Sequence, residues 1–180
     1  MISADYVRTM VRYGGWMNQR MMVACSTLPA SERERDLGAF FGSLHRTLDH
    51  LLWADLIWMH RLMGTPAPAA GINEHAFPDW AELVARRAAA DGLMARWAGE
   101  MVTDAWLAAP FTYGSKVVGR RRTMPGWVLV THVLNHGTHH RGQATTLMKQ
   151  LGADPGVTDL LVMPALFDGS LGITATDEAI

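Results

Sequence analysis

The histidines between Thr131 and Gln143 are the residues whose types and spacing best suit chemistry. This segment reads THVLNHGTHHRGQ and holds four of the protein's eight histidines, at His132, His136, His139 and His140. Residues four apart on a helix lie one turn above each other, so three of these rings form a stripe on one face. Two imidazoles at i and i+4 are a recurrent zinc-binding element. The spacing therefore makes these histidines candidate metal ligands without deciding which pair binds, and such pairs also arise by chance on a histidine-rich helix.

Two side chains rarely hold a metal ion, so the chain must supply at least a third ligand. Cys25 is the only cysteine, which excludes an intrachain disulfide and argues against a thiolate site. No activating group lies near it in the sequence, which indicates a small buried residue rather than a nucleophile. Any metal site must therefore rest on nitrogen and oxygen ligands.

Four long helices must position such a site. Apolar periodicity and capping residues predict helices from Ser3 to about Thr27, from about Asp36 to Met63, from Trp80 to about Met101 and from Pro125 to about Leu151. The segment from Gly64 to Pro78 is a loop by composition, and the pattern between Pro110 and Arg122 favours a short β-hairpin. The sequence thus predicts an all-α four-helix bundle with a crossover connection, as one domain over residues 1–168 followed by a partly mobile tail over 169–180.

His50 is the best candidate for the third ligand. It lies near the middle of the second predicted helix, as the histidine stripe lies near the middle of the fourth. Helices packed side by side would bring the two to the same height, as in metal sites built in bundle cores. Trp53, Ala54 and Ile57 flank it on an apolar face, where an unpartnered histidine would be costly.

The remaining histidines fit this role less well. His45 lies about 140° from His50 around the helix, so the two cannot face one centre. His60 lies in the last turn, where a cation complements the helix dipole and solvent is near, which indicates a capping or surface role. His75 lies in the loop, with no partner indicated by the sequence.

The composition argues against several classes of function. Apolar residues make up 49% of the chain, charged residues 18%, and the formal net charge is -1. This is a globular balance, with no overall electrostatic reason to bind nucleic acid or an anionic membrane. The first residues lack the features of a signal peptide, and no run approaches the ~18 apolar residues of a membrane span. We therefore expect a cytoplasmic protein with no nucleic-acid and no membrane partner.

Three segments carry a resemblance to a known family: RYGGWMNQRM (Arg12 to Met21), SLHRTLDHLLWADLIWMHRL (Ser43 to Leu62) and VLNHGTHHRGQATTLM (Val133 to Met148). They resemble the DinB/YfiT-like metalloproteins, and the most specific part is HxxxHRGQ after a single upstream histidine before WAD. The resemblance implies an up-down-down-up four-helix bundle, often dimeric, in which three histidines hold a divalent metal. Carried over residue by residue, the implied ligands are His50, His136 and His140.

The resemblance also bears on the neighbours of these ligands. It implies that His132 is a semi-buried neighbour of the site and that His139 points to another face. Asn18 and Asp55 match family positions, where we expect hydrogen bonds between helices. The mycothiol-dependent maleylpyruvate isomerases, one branch of the family, have a glutamate where His136 stands. Their activity is therefore not carried over to this chain.

The implied chemistry is that of zinc, nickel or iron on three neutral imidazoles with an open coordination position. Such an ion can activate water, or bind a low-molecular-weight thiol as thiolate. The leading hypothesis is a homodimeric, metal-dependent thiol S-transferase or hydrolase that acts on a small-molecule substrate. The alternative is a non-catalytic stress-response protein with a structural metal. A metalloprotease is disfavoured, because no glutamate lies between His136 and His140.

Three consecutive arginines precede the last predicted helix, at Arg120, Arg121 and Arg122. They could hold the carboxylates of an anionic thiol or substrate by bidentate contacts. A solvated hairpin strand is the simpler interpretation. They also suggest nucleic-acid binding, which the acidic net charge and the lack of interleaved aromatic residues argue against. The sequence identifies no catalytic or substrate-binding residue.

Overall fold

The computed structural model describes residues 1–72, 74–115 and 119–176. Six α-helices and one β-hairpin make up this part of the chain, followed by two short 3-10 helices at Leu160–Val162 and Pro164–Leu166. In chain order the elements are α1 (Ala4–Ser26), α2 (Ala30–Glu34), α3 (Leu44–Met63), α4 (Trp80–Glu100), α5 (Asp104–Ala108), β1 (Pro110–Ser115), β2 (Arg120–Pro125) and α6 (Gly126–Gln150). None of the described helices is both long and apolar enough to cross a bilayer.

The four long helices form a bundle in which α1 and α3 each pack against both α4 and α6. Two apolar clusters, one at each end of the bundle, show the direction of each helix. One cluster joins the starts of α1 and α6 to the ends of α3 and α4, through Val7, Leu129, Leu62 and Trp97. The other joins the ends of α1 and α6 to the starts of α3 and α4, through Met22, Met148, Leu44 and Leu83. The predicted up-down-down-up bundle is confirmed.

Capping residues explain why three helix ends fall where the sequence predicts them. The hydroxyl of Ser3 accepts a hydrogen bond from the Tyr6 amide at 3.2 Å, and α1 begins at the next residue. The carboxylate of Asp79 accepts one from the Glu82 amide at 2.7 Å at the start of α4. Gly64 ends α3 in the left-handed conformation, with φ of 72°. Such caps satisfy backbone groups that have no partner within the helix.

The predicted start of the second long helix at Asp36 is wrong, because α3 begins at Leu44. Gly38 and Gly42 have φ of 69° and 81°, a conformation that interrupts a right-handed helix. The Leu37 amide donates to the Gly42 carbonyl at 2.9 Å and closes a tight turn before the helix.

The later start of α3 changes why the histidines lie at one height. His50 is in the second turn of α3, not near its middle, so the midpoint argument fails. His136 and His140 lie on either side of the midpoint of α6, whereas His50 lies about one turn before the midpoint of α3. An offset of about one turn between the two helices therefore brings the rings to one height.

The predicted β-hairpin before the last helix is confirmed. Strands β1 and β2 pair antiparallel from Pro110 opposite Pro125 to Ser115 opposite Arg120. The hydroxyls of Thr112 and Thr123 lie 2.7 Å apart across the pair. The hairpin leads directly into α6, whose first residue is Gly126.

A buried ion network joins three of the four long helices. Arg87 of α4 is 1% exposed, and its guanidinium lies 2.7 Å from Asp55 of α3 and 2.7 Å from Asp91 one turn along α4. The side-chain amide of Asn18 in α1 donates to Asp91 at 2.8 Å. Burial alone would lower the pKa of Arg87, but the two carboxylates outweigh it and raise that pKa. The predicted helix-to-helix hydrogen bonds of Asn18 and Asp55 are therefore confirmed.

The C-terminal segment continues along the bundle after the second 3-10 helix. Ser170 and Leu171 line a cavity together with Asp5 and Arg12 of α1. Residues 177–180 lie outside the described part of the chain. The division into a domain over residues 1–168 and a mobile tail over 169–180 stays a prediction.

Candidate metal centre

The structure brings together the three histidines that the family resemblance implies as ligands. One nitrogen from each of His50, His136 and His140 lies within 4.8 Å of the others. The Nε2 atoms of His136 and His140 are 3.0 Å apart. A tetrahedral ion about 2.1 Å from each nitrogen would hold two such atoms roughly 3.4 Å apart. The three rings therefore need only small shifts to hold one cation.

Gln143 orients one of these rings from the next turn of α6. Its Oε1 lies 2.8 Å from Nδ1 of His140. An amide oxygen only accepts, so Nδ1 of His140 carries the proton and Nε2 presents a lone pair towards His136. A hydrogen bond that fixes the tautomer from outside is the usual arrangement around metal-binding histidines. The spacing HRGQ was the sequence signal for this role, which sequence reasoning missed.

Aromatic side chains enclose His50 on two sides. Phe41, in the turn before α3, stacks on it with ring centres 4.1 Å apart and planes 23° apart. Trp53, one turn further along α3, lies 5.8 Å from it at 27°. His50 and His136 are nevertheless partly exposed, whereas His140 is buried and only 7% exposed. Solvent can therefore reach the triad while apolar rings hold His50 in place.

Burial is the main reason why all three rings are neutral at pH 7. It lowers the pKa of His136 to about 3, with charge on His140 and His50 adding to the effect. It lowers the pKa of His50 to about 4, with charge on His140 adding. The pKa of His140 is also lowered by burial, against the hydrogen bond to Gln143 that raises it. Neutral imidazole is the form that binds a metal ion.

These shifts predict that the metal-free protein loses stability in mild acid. The folded-state pKa values of about 4 for His50 and about 3 for His136 lie below the ~6.5 of an unfolded chain. Below pH 6.5 these two imidazoles therefore bind protons in the unfolded chain but stay neutral in the folded chain. Their stabilising contribution is complete above that pH and falls as pH drops towards the folded-state values. We expect urea unfolding with a chelator present to show about 4 kcal/mol less stability at pH 5 than at pH 7, roughly half from each ring.

The matched variant for this experiment is His136→Gln, which removes one titrating ring and keeps a neutral polar side chain. Its loss of stability between pH 7 and pH 5 should be clearly smaller than that of the unmodified protein. Identical pH dependence in the two proteins would show that the triad does not cause the effect.

The other two histidines of the stripe differ in their contacts. His132 is exposed, so its expected semi-burial is wrong. It lies one turn before His136, where Trp58 covers it on one side at a ring distance of 5.0 Å. His139 is exposed on a different face of α6, as expected, with its ring 4.8 Å from that of His140.

A second group of possible ligands, Glu34, His45 and His75, is better explained without an ion. Nδ1 of His45 lies 2.6 Å from Oε1 of Glu34, and its Nε2 lies 2.9 Å from the Phe77 carbonyl. Two ligand atoms that share a tetrahedral cation would be roughly 3.4 Å apart, so 2.6 Å indicates a direct contact. His75 lies 3.2 Å from Asp49, so the prediction that it has no partner is wrong. The loop folds back onto α3, a path that local sequence does not reveal.

His60 has the surface role that its position predicts. It lies in the last turn of α3, is exposed, and its Nδ1 contacts the Thr65 carbonyl just beyond the helix. His45 points to the separate group described above, so it does not share a centre with His50.

Arg141, the residue after His140, occupies a buried space between α1 and α6. A methyl group added at Gly137 would lie 2.9 Å from its Nη1 atom, and one added at Gly14 would lie 3.4 Å from the same atom. Burial lowers the pKa of Arg141, and the nearby Asp55 carboxylate opposes that effect. Two glycines on facing helices therefore make room for a buried cation beside the ion network.

Comparison with known proteins shows the family of the chain. A model of the DinB family matches residues 1–167, which is most of the chain. The chain belongs to the DinB family. "Protein DinB" of Bacillus subtilis (strain 168) is 25% identical over 165 residues, which cover 87% of this chain and 92% of that protein.

A solved structure related to this DinB-family chain shares its fold. The crystal structure of a DinB-like protein from Bacillus cereus ATCC 10987 superposes with a TM-score of 0.59 at 22% identity. The match covers 81% of this chain and 91% of the other. At this level of identity the likeness supports the helical bundle alone.

Proposed function

We propose that this DinB-family protein binds a divalent metal ion through His50, His136 and His140 and uses it in a reaction of small molecules. The reaction would be the transfer of a low-molecular-weight thiol or a hydrolysis. The observation that carries the proposal is the convergence of three neutral imidazoles, from two antiparallel helices, within 4.8 Å of one another. Zinc, nickel and iron all suit imidazole ligands.

The surroundings of the triad support a role in chemistry. A divalent ion held by three neutral ligands keeps its full charge and can lower the pKa of a coordinated water or thiol to near neutrality. His50 and His136 are partly exposed, so a small molecule can approach them. Gln143 fixes the protonation of His140, and Phe41 fixes the plane of His50, so the site is ordered before anything binds.

A structural metal is the second candidate. The triad connects α3 to α6, so an ion there would cross-link two long helices and stabilise the folded state. Both candidates require metal binding, and they differ only in whether the bound metal supports turnover.

One experiment in two stages tests both candidates. The purified protein is first analysed for its metal content, and the chelated protein is then titrated with zinc, nickel and iron(II). We expect one ion per chain. The loaded protein is then assayed with glutathione or mycothiol and the electrophile 1-chloro-2,4-dinitrobenzene, and with p-nitrophenyl acetate for hydrolysis.

The outcomes separate the candidates clearly. Turnover that requires both metal and thiol supports the transferase, and metal-dependent ester cleavage supports the hydrolase. A bound metal that raises the melting temperature without any turnover supports the structural role. Absence of stoichiometric binding for all three ions refutes both.

A homodimer and a cytoplasmic location, implied by the resemblance and by the sequence respectively, remain proposals. Light scattering on the purified protein decides the first, since a monomeric mass would contradict it. Fractionation of cells that produce the protein decides the second.

A further inference from the structure

Arg61, in the last turn of α3, is a half-buried cation without an acidic partner. Its guanidinium lies 4.6 Å from the ring centre of Trp58 and 5.5 Å from that of Tyr113. In the described part of the chain no carboxylate forms an ion pair with it. The fully buried Arg87, by contrast, has two carboxylates at 2.7 Å. Burial also lowers the pKa of Arg61, because no carboxylate among the described residues offsets the cost of burying its charge.

This arginine lines a cleft of about 710 Å³, a size typical of small-molecule sites. Trp53 and Ile57 of α3 form one wall of the cleft, and residues 67–72 of the following loop form another. Tyr113 of β1 lines the end near Arg61. The indole N–H of Trp53 donates to the Ala70 carbonyl at 2.8 Å and holds the loop wall in place. The lining is mainly apolar.

The cleft at Arg61 extends along α3 to Trp53, whose ring contacts that of His50. His50 and Arg61 are eleven residues apart on α3, which is about three turns, so they lie on one face roughly 16 Å apart along the axis. Trp53 both stacks on His50 and lines the cleft. The ring of Trp53 is therefore the link between the cleft that holds Arg61 and the candidate metal centre.

We propose that this cleft binds a small organic carboxylate, with its acid group on Arg61 and its apolar body on Trp53 and Ile57. The reactive end of such a molecule would reach the triad, and this last part rests on the proposed function. A guanidinium presents its donors in a planar fork that matches a carboxylate. Because Arg61 is half-buried at the edge of an apolar cleft, its attraction for an anion is weakened less by water than at the surface.

Arg61 suits this role better than the three arginines of the hairpin. Arg120, Arg121 and Arg122 are all exposed on β2, where an ion pair with a ligand is weak. If the hairpin arginines held the carboxylate instead, substitution of one of them would weaken binding of the anion. The two assignments can therefore be compared directly.

Binding of 4-phenylbutyrate and of its neutral analogue 4-phenylbutan-1-ol, measured by calorimetry, tests the proposal. The unmodified protein should bind the carboxylate at least about tenfold more tightly than the alcohol, as a charge-assisted hydrogen bond would provide. Arg61→Gln should bind both compounds equally, with unchanged affinity for the alcohol. Arg61→Lys should keep part of the preference, and Arg120→Gln all of it. The matching phosphonate, 4-phenylbutylphosphonate, shows whether a carboxylate is preferred over other acids.

Three results would overturn the proposal. They are equal binding of carboxylate and alcohol by the unmodified protein, an undiminished preference in Arg61→Gln, and a preference lost in Arg120→Gln instead. If circular dichroism shows that Arg61→Gln does not fold, the measurements on the unmodified protein and on Arg61→Lys still test the proposal. The titrations use both metal-free and zinc-loaded protein. If the triad does not bind zinc, the preference for the carboxylate can still be measured in the metal-free protein. If the preference for the carboxylate is absent, the measurement of zinc binding is unaffected.

Discussion

His136→Ala should abolish stoichiometric metal binding. The ring of His136 is central to the triad, since its Nε2 lies 3.0 Å from that of His140 and its ring centre lies 5.5 Å from that of His50. Its removal leaves two imidazoles, which rarely hold a divalent ion. We expect affinity to fall more than 100-fold, beyond the range for a residue that only orients a ligand. Competition with a chromophoric chelator, together with elemental analysis, measures this loss.

Two further variants make this result specific. His60→Ala removes an exposed histidine at the end of α3 and should retain one ion per chain. Gln143→Ala keeps all three ligands but frees the ring of His140, so we expect an intermediate loss of 10–100-fold. Equal metal content in His136→Ala and His60→Ala would refute the assignment of the triad.

Arg87→Met should destabilise the protein by about 3–5 kcal/mol. The side chain is 1% exposed and compensates two buried carboxylates, Asp55 and Asp91. Methionine fills similar space but leaves both acids without the cation that contacts them directly, which is costlier than the loss of the ion pairs themselves. Burial already raises the pKa of Asp91 even with the arginine present. Chemical denaturation at pH 7 measures the change.

The adjacent Arg86 provides the matched control. It is exposed on the same helix and lies 3.4 Å from Glu82, an ordinary surface pair. Arg86→Ala should cost less than about 1 kcal/mol. Replacing Asp55 and Asp91 by asparagine in the Arg87→Met protein should recover part of the loss, because the unpaired charges are then absent. A loss of less than 1 kcal/mol in Arg87→Met would show that the network does not stabilise the fold.

Segments whose structure depends on neighbours in sequence could be predicted well. Helices α1 and α4 begin directly after Ser3 and Asp79, because an N-cap hydrogen bond forms within three residues. His136 and His140 share a helix, so their mutual proximity follows from the helical repeat alone. The proximity of His50 to these two histidines depends on how α3 packs against α6. Its apolar flank only favoured a role as a ligand, and the family resemblance identified it.

The long-range contacts could not be predicted. The start of α3 is a different case, because its signals, Gly38, Gly42 and the capping Ser43, are local and were given too little weight in a segment without proline. The proximity of His75 to Asp49 depends on how a loop folds back over α3. The sequence does not distinguish Arg87 from the other polar residues on α4. Its buried role depends on contact with Asp55, which belongs to another helix.

The sequence alone determined the helices, the hairpin and the residue types able to bind a metal, because these follow from local hydrogen bonding and periodicity. Tertiary structure alone decided which surfaces became clefts and which charges became buried. The Phe41 ring over His50 and the cleft from Trp53 to Arg61 are set by the paths of loops between helices. Those paths depend on packing between residues far apart in the chain, which no local pattern encodes.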